Sequence, residues 1–338
     1  MRVLIIKTSS LGDIVHTFPA VTDAAIRIPN FNCDWVVEEN FAALPTLHSA
    51  INTVITIALR RWKRSMLTTL INGEVLTFVN QLRNTNYDLV VDAQGLYKSA
   101  ILTILARGIS AGFDYYSARE SWVSYSYHHK INVPIQLHAI TRLRYLFAQA
   151  FNYQMPTDAP NFGLMTIYPT ITKPYLIFIP ATTWFSKHYP LTHWVELINL
   201  ANNTGYTVFI AWYTEIERNQ AMEMITQAQA GELLINQGIK VMASWLSGAT
   251  GVISVDTGLA HLAVALNTPT VILYGPTSKE LTGAIGSQHI NLQGIEPCIP
   301  CRQRTCKITT LSQPLCLANL SPKLVWAAMN ELIKHVNN

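Results

Sequence analysis

The chain has 338 residues, long for a single hydrophobic core and comfortable for two domains. Its net charge of +4, from 24 Lys and Arg against 20 Asp and Glu, is too mild to argue for nucleic acid, and five cysteines in this length do not make a disulfide scaffold. Charged residues make up only 13% of the chain, about half the usual share of roughly 25%. No run nears the roughly 18 apolar residues that cross a bilayer. A cytoplasmic protein that touches membranes without spanning them fits this composition, and the four-residue apolar core of Met1–Lys7 is too short for a signal peptide.

Val3 to Ile6 predicts a buried strand running into Lys7-Thr-Ser-Ser-Leu-Gly-Asp13. Ligands of open α/β sheets sit at such strand ends. Thr8, Ser9 and Ser10 are donors there, Gly12 loosens the turn, and Asp13 is an acid at the mouth of a cleft. Thr17 is the expected cap of the next helix, with Pro19 in its first turn. Strands are expected at Asp34–Val37, Asn52–Ile57 and Tyr87–Asp92, with helical patterns over Met66–Leu82 and Tyr97–Leu105. Strand after helix after strand predicts a parallel sheet covered on both faces. The run Arg60-Arg61-Trp62-Lys63-Arg64 reads either as a solvated helix start or as a pocket for anionic groups, which Arg binds in a fork. Asp92-Ala-Gln-Gly-Leu-Tyr-Lys98 is a second polar turn at a strand end, and Arg119, His138, Arg142 and Arg144 add positive charge.

Residues 151–173 lack periodicity and read as a linker. A fresh sheet starts at Tyr175–Ile179, whose turn carries Thr182, Thr183 and Lys187: two hydroxyl donors and a mobile ammonium, the residue types that hold phosphate oxygens. Trp194, Leu197 and Leu200 continue as helix, and Tyr206–Trp212 as strand. Glu215 and Glu217 either accept from sugar hydroxyls or simply sit at a helix N-terminus, which the helix dipole favours. Ile239–Leu246 reads as a short helix. Residues 251–277 then read as one βαβ unit: an apolar run at Val252–Val255, the turn Asp256-Thr257-Gly258, helical spacing at Leu259, Leu262, Ala263 and Leu266, and a second run at Val271–Tyr274. Gly258 lets a ligand approach the backbone, and the first-turn amides favour an anion, a pyrophosphate above all. His261, one turn in, is a ligand contact or a structural histidine.

The expected fold is therefore α/β, with two lobes facing across a cleft. The chain has no Asp-x-Asp to chelate a metal–diphosphate, so Lys187, the hydroxyls and the helix N-terminus must meet that charge. A Gly-x-Gly-x-x-Gly fingerprint and a P-loop lysine are also missing, which argues against dehydrogenases and ordinary NTPases. Cys298, Cys301, Cys306 and Cys316 share an irregular segment; they can hold a structural zinc or remain free thiols. Cys33, beside a strand, reads as core. The last helix, Pro322 to Val336, is long enough to pack back on the first lobe.

Lys7–Pro19, Trp35–Glu39, Ala58–Arg64, Asp92–Leu96, Ser254–His261 and Tyr274–Thr277 together resemble the ADP-heptose glycosyltransferases of bacterial lipopolysaccharide synthesis, over nearly the whole chain. The resemblance implies a GT-B fold of two Rossmann-like lobes: an acceptor domain at 1–160 carrying the base, an ADP-heptose domain at 161–320, and a helix at 321–338 returning to the first. It implies metal-independent, inverting transfer of L-glycero-D-manno-heptose from its ADP derivative to the first Kdo of Kdo2-lipid A, on the cytoplasmic surface of the inner membrane, with no required cofactor. By the same resemblance Asp13 is the general base, and Lys187 steadies the departing diphosphate. Thr182, Thr183, Lys187, Glu217, Asp256, Thr257, Gly258 and His261 line the donor site. Ser10, Arg60, Arg61, Lys63, Arg64, Lys98 and Arg119 meet the acidic acceptor. Thr8–Gly12 and the Arg60–Arg64 block speak for the branch that adds the first heptose rather than the second; the cysteine segment departs from that branch's pattern. A sugar-nucleotide epimerase of the same fold and a two-lobed binding protein are the rival classes.

Overall fold

The computed structural model describes residues 1–65, 69, 72–165, 169, 173–235, 238–308 and 314–337. It divides into two units, Met1–Met165 and Thr166–Asn338. In the first, the chain runs β1 (Arg2–Ile6), α1 (Leu11–Arg27), β2 (Asn32–Glu38), β3 (Ile51–Ile57), α2 (Leu59–Arg64), α3 (Glu74–Arg83), β4 (Asn86–Asp92), α4 (Tyr97–Leu105), β5 (Arg107–Phe113), β6 (His129–Ile131) and α5 (Ala139–Ala150). All six strands are parallel, in the order β3-β2-β1-β4-β5-β6. Leu4, Ile5, Ile6, Val36, Val90 and Val91 are fully buried. Such near-continuous apolar runs are what a strand covered on both faces requires.

Helix α1 begins at Leu11, well before the expected cap at Thr17. Ser10 takes the N-cap position, Pro19 lies inside the helix, and the Thr17 hydroxyl donates to the Asp13 carbonyl at 2.8 Å. Asp13 is therefore not on a loop but in the first turn of a 17-residue helix. The basic run forms its own short helix, α2. The helical pattern expected from Met66 is seen from Glu74; residues 66–68 and 70–71 lie outside the described residues, as do 166–168 and 170–172 of the expected linker.

The second unit runs β7 (Tyr175–Ile179), α6 (Leu191–Asn203), β8 (Thr207–Ile210), α7 (Glu215–Ala228), β9 (Glu232–Leu233), α8 (Ile239–Gly248), β10 (Gly251–Val255), α9 (Gly258–Ala265), β11 (Thr270–Tyr274), α10 (Lys279–Thr282), β12 (His289–Gln293), α11 (Leu315–Ala318) and α12 (Pro322–Asn337). Its sheet is again parallel, in the order β12-β11-β10-β7-β8-β9. Each sheet thus starts in its middle, builds outward, then returns to build on the other side. The reversal falls between β1 and β4 in one unit and between β7 and β10 in the other, the switch points where open α/β sheets bind ligands.

The last helix corrects an expectation. α12 belongs to the second unit, where Val325, Trp326, Met329, Leu332 and Ile333 share a core with Leu176, Phe178, Trp194, Leu197, Val271 and Leu273. The spacing of its apolar residues forms a stripe that covers this sheet. Gly251 in β10 leaves room for it: a Cβ there would lie 2.4 Å from Met329 Sδ. Trp326→Ala is accordingly expected to cost about 3–5 kcal/mol of stability, read as a lower urea midpoint for unfolding of the second unit.

Candidate active site

At the switch point of the first sheet, the chain leaves β1 with Lys7 buried and Thr8 fully buried. The Lys7 ammonium donates to the Ala93 carbonyl at 2.9 Å, just past the end of β4. Thr8 donates through both its amide and its hydroxyl to Gln94 Oε1, each at 2.8 Å. The Gln94 amide nitrogen donates to the Ser9 carbonyl at 3.2 Å, and Lys98 Nζ to Ser9 Oγ at 2.9 Å. The two polar turns read from the sequence are in this way stitched into one surface.

Asp13 stands above this floor. The Ser10 amide and hydroxyl both donate to its Oδ2, at 3.0 and 2.8 Å. Its place in a helix first turn favours the ionised form. The surrounding protein pushes its carboxyl up, but the Lys7 ammonium, the two Ser10 bonds and His16 outweigh that and hold it below the usual carboxylate value. Burial lowers the Lys7 ammonium in turn, against the pull of Asp13 and Asp92. Asp92, fully buried at the end of β4, accepts from the Gln94 and Gly95 amides at 2.8 and 3.0 Å and from the Tyr127 hydroxyl at 2.6 Å. Burial nevertheless raises its carboxyl. Lys7, Asp92, Gln94 and Tyr127 were not among the residues read as functional.

The expected acceptor residues separate into two groups. Lys98 is half-buried; burial lowers its ammonium, with Glu38 and Asp13 pulling the other way and Arg60 and Lys7 adding to the fall. Ser10, Lys98 and Arg60 therefore share the electrostatic environment of Asp13. Arg60 is tied in by its amide, which donates to the buried Glu38 at 3.0 Å. Arg61 is different: its guanidinium is engaged by Glu39 at 3.2 Å and Glu74 at 2.8 Å. Its fork is satisfied within the protein and offers an anion little. Lys63, Arg64 and Arg119 are exposed.

The second unit repeats the plan at β7 and β10. Lys187 follows β7 in a single 3-10 turn, Phe185–Lys187. Its ammonium donates to Asp256 Oδ2 at 2.6 Å and to the Asp256 carbonyl at 3.2 Å, just past the end of β10, and lies 4.9 Å over the Trp184 ring. Thr277 donates to the same Oδ2 at 2.6 Å, and His261 Nε2 lies 3.4 Å from Oδ1. Burial pushes the Asp256 carboxyl up, but His261 and Lys187 outweigh it and hold it far below the usual range. His261 is buried, while Thr182, Thr257 and Gly258 are half-buried and Thr183 is exposed. Gly258 opens the eight-residue α9 with Thr257 at its cap. The Ala260 amide already donates to the Thr257 carbonyl at 3.1 Å, while the Gly258 and Leu259 amides ahead of it lie before the first intrahelical bond and suit an anion.

Glu217 has a local task. Its Oε2 accepts the Tyr213 and Thr214 amides at 2.7 and 3.0 Å, and its own amide donates to Thr214 Oγ1 at 3.3 Å. This capping box starts α7 and takes up one carboxylate oxygen. All five cysteines are free thiols. Cys298, Cys301, Cys306 and Cys316 do gather, lining one small cavity of about 30 Å³ with Ser186, Pro276 and Glu296. Among the described residues, no three His, Cys, Asp or Glu side chains are arranged to hold a metal ion. The loop that carries these cysteines supports the Lys187 turn: the Ser186 amide donates to the Arg304 carbonyl at 3.0 Å and its hydroxyl to the Gln303 carbonyl at 2.5 Å.

The fold is that of the GT-B glycosyltransferases: the solved structure of E. coli heptosyltransferase WaaC with ADP matches 98% of this chain and 100% of its own, with TM-score 0.88 and 37% identity. The sequence model of glycosyltransferase family 9 (heptosyltransferase) matches residues 75–312, and the chain belongs to this family. Lipopolysaccharide heptosyltransferase 1 of Pseudomonas aeruginosa is 41% identical over 98% of both chains. The protein of the same name from Escherichia coli K12 is 41% identical over 86% of this chain and 92% of its own.

The depressed Asp256 carboxyl has a pH consequence. A carboxylate whose native value lies below its unfolded value, about 3.9, stabilises fully above that value and loses its contribution as pH falls toward the native one. Stability of the second unit should therefore fall from about pH 5 downward, and Asp256→Asn should flatten that fall. At neutral pH the same variant should cost about 3–5 kcal/mol, because Lys187 loses its buried partner. Urea midpoints measured across the acid range check both effects.

Proposed function

We propose that this chain transfers L-glycero-D-manno-heptose from ADP-heptose to the first Kdo of Kdo2-lipid A, with inversion, at the inner face of the inner membrane. The near full-length similarity to lipopolysaccharide heptosyltransferase 1 supports the choice of substrates. The observation that carries the mechanism is Asp13, held ionised at a sheet switch point with cations around it. In this reading the first unit receives the acceptor and the second the donor.

The step is a displacement. Asp13 takes the proton of the acceptor hydroxyl while that oxygen bonds to the anomeric carbon and the bond to the diphosphate breaks. Asp13 has a partner for one oxygen in Ser10, which keeps the carboxylate aimed. Lys98 and Arg60 meet the acidic Kdo residues, and Arg119 lies within electrostatic reach of Lys7 beneath Asp13. On the donor side an ammonium carries three N–H donors, of which Asp256 takes two in this structure. The third reaches a phosphate oxygen of the leaving ADP, with the Gly258 and Leu259 amides beside it. Charge on the diphosphate is thus met without a metal, and the cysteine group serves the loop rather than the chemistry.

Incubation with ADP-heptose and Kdo2-lipid A should give a product heavier by one heptose, undiminished in EDTA. No mass change would overturn the reading, and a heptose added only to an already heptosylated core would reassign the acceptor. Asp13→Asn should lower kcat by about 10²–10⁴-fold with ADP affinity nearly unchanged. Because the Lys7 cation lowers the Asp13 carboxyl, Lys7→Met should move the acid limb of kcat/KM to higher pH; an unmoved limb would separate Lys7 from the base.

A further inference from the structure

Helix α4 has an inner face that is buried at Ser99, Ala100, Leu102 and Thr103. Its outer face is also apolar: Tyr97, Ile101 and Ile104, one helical stripe, are 52%, 57% and 65% exposed. A helix at the edge of a soluble domain ordinarily turns a polar face to water. Beside it, the irregular stretch between β5 and β6 exposes Tyr116 at 79%, Trp122 at 63% and Tyr125 at 66%. These rings are already assembled. Tyr115 touches Tyr116, Trp122 and Tyr125 at centroid distances of 5.5, 5.8 and 6.4 Å, and Trp122 stacks on Tyr125 at 5.7 Å.

The two pieces are one surface. The Tyr97 amide donates to Glu120 at 2.5 Å, the Glu120 amide donates to the Gly95 carbonyl at 3.2 Å, and the 3-10 turn Ser121–Ser126 packs on α4. Its charges are sorted by sign. Asp114 is taken up by the Tyr116 and Ser117 amides and the Asn132 side chain, and Glu120 by Tyr97. Arg107, Arg119 and Lys130 are exposed, with Lys130 Nζ 5.0 Å over the Tyr125 ring.

We propose that the α4 stripe and the Tyr115–Tyr125 ring cluster form the surface on which this chain rests against an anionic lipid bilayer. Tyr and Trp carry an apolar body and a polar tip, which suits the water–lipid boundary, and the outward cations complement anionic headgroups. Among the described residues no helix is long and apolar enough to cross a membrane, so the contact is peripheral. The inference rests on the reading that the acceptor is a membrane lipid, and it names the face that reading needs.

The test uses the full chain and vesicles without Kdo2-lipid A, so that docking is measured apart from catalysis. The wild type should float with phosphatidylethanolamine–phosphatidylglycerol vesicles, much less with phosphatidylcholine, and less at high salt. Trp122→Ser/Tyr125→Ser should lower the partition coefficient by about tenfold or more, and Ile101→Glu/Ile104→Glu should do the same from the other element. Both variants should keep the wild-type thermal midpoint and the wild-type rate on detergent-dispersed acceptor, while losing rate on acceptor in vesicles. Two unrelated pairs keep the test decisive if one folds poorly. A wild type that stays in solution with anionic vesicles, or folded variants that float unchanged, would overturn the assignment. So would a dimer that the variants dissolve with no change in flotation, since the face would then join two copies. Failure of heptose transfer by the wild type would remove the functional reading and leave the flotation result to stand alone.

Discussion

When neighbouring parallel strands send their connections to opposite faces of a sheet, nothing covers the crevice at their C-terminal ends, and this chain sets a lysine beside a buried aspartate in that crevice twice. In the first unit it lies between β1 and β4, in the second between β7 and β10. Each time one strand supplies the loop with the lysine and its partner strand supplies the buried aspartate, Lys7 with Asp92 and Lys187 with Asp256.

The two edges differ in where the lysine points. Lys187 is paired directly with Asp256, so the two charges nearly cancel. Lys7 donates to a carbonyl, and its charge is shared between Asp92, which is spoken for by Tyr127 and two amides, and Asp13 above it. A carboxylate that must accept a proton needs to be ionised but not locked in a salt bridge. Under the function proposed above, the first edge meets that need by placing the cation beneath Asp13 and leaving the direct bonds to Ser10.

Much of this was legible in the order of residues. Strands buried on both faces are unbroken apolar runs, so β1, β4, β7 and β10 and the polar loops after them could be read directly, and with them Asp13, Lys187 and Asp256. Two local signals were there and missed. Ser10-Leu-Gly-Asp13 and Thr214-Glu-Ile-Glu217 both follow the capping-box pattern, which would have begun α1 before Asp13 and given Glu217 a backbone task. Other features depend on distant partners. Arg61 is held by acids 22 and 13 positions away, and Lys7 looks like a surface residue until β4 lies beside it. The stripe on α12 announces a buried face without saying which sheet it covers. Strand β5, Arg107–Phe113, hides behind two glycines; a Cβ at Gly112 would lie 2.4 Å from the Tyr127 ring.

That ring ties together two parts of the first unit. Tyr127 ends the stretch that carries the outward aromatic residues, and its hydroxyl is fastened to Asp92 beneath the carboxylate edge. The rings are therefore moored, through one buried phenol, to the same strand end that supports Lys7. On a bilayer, the depth at which those rings settle would set the height of Asp13 above the headgroups, and with it how far an anchored sugar must rise to be reached. On the proposed bilayer the mooring would act as a ruler between lipid and chemistry.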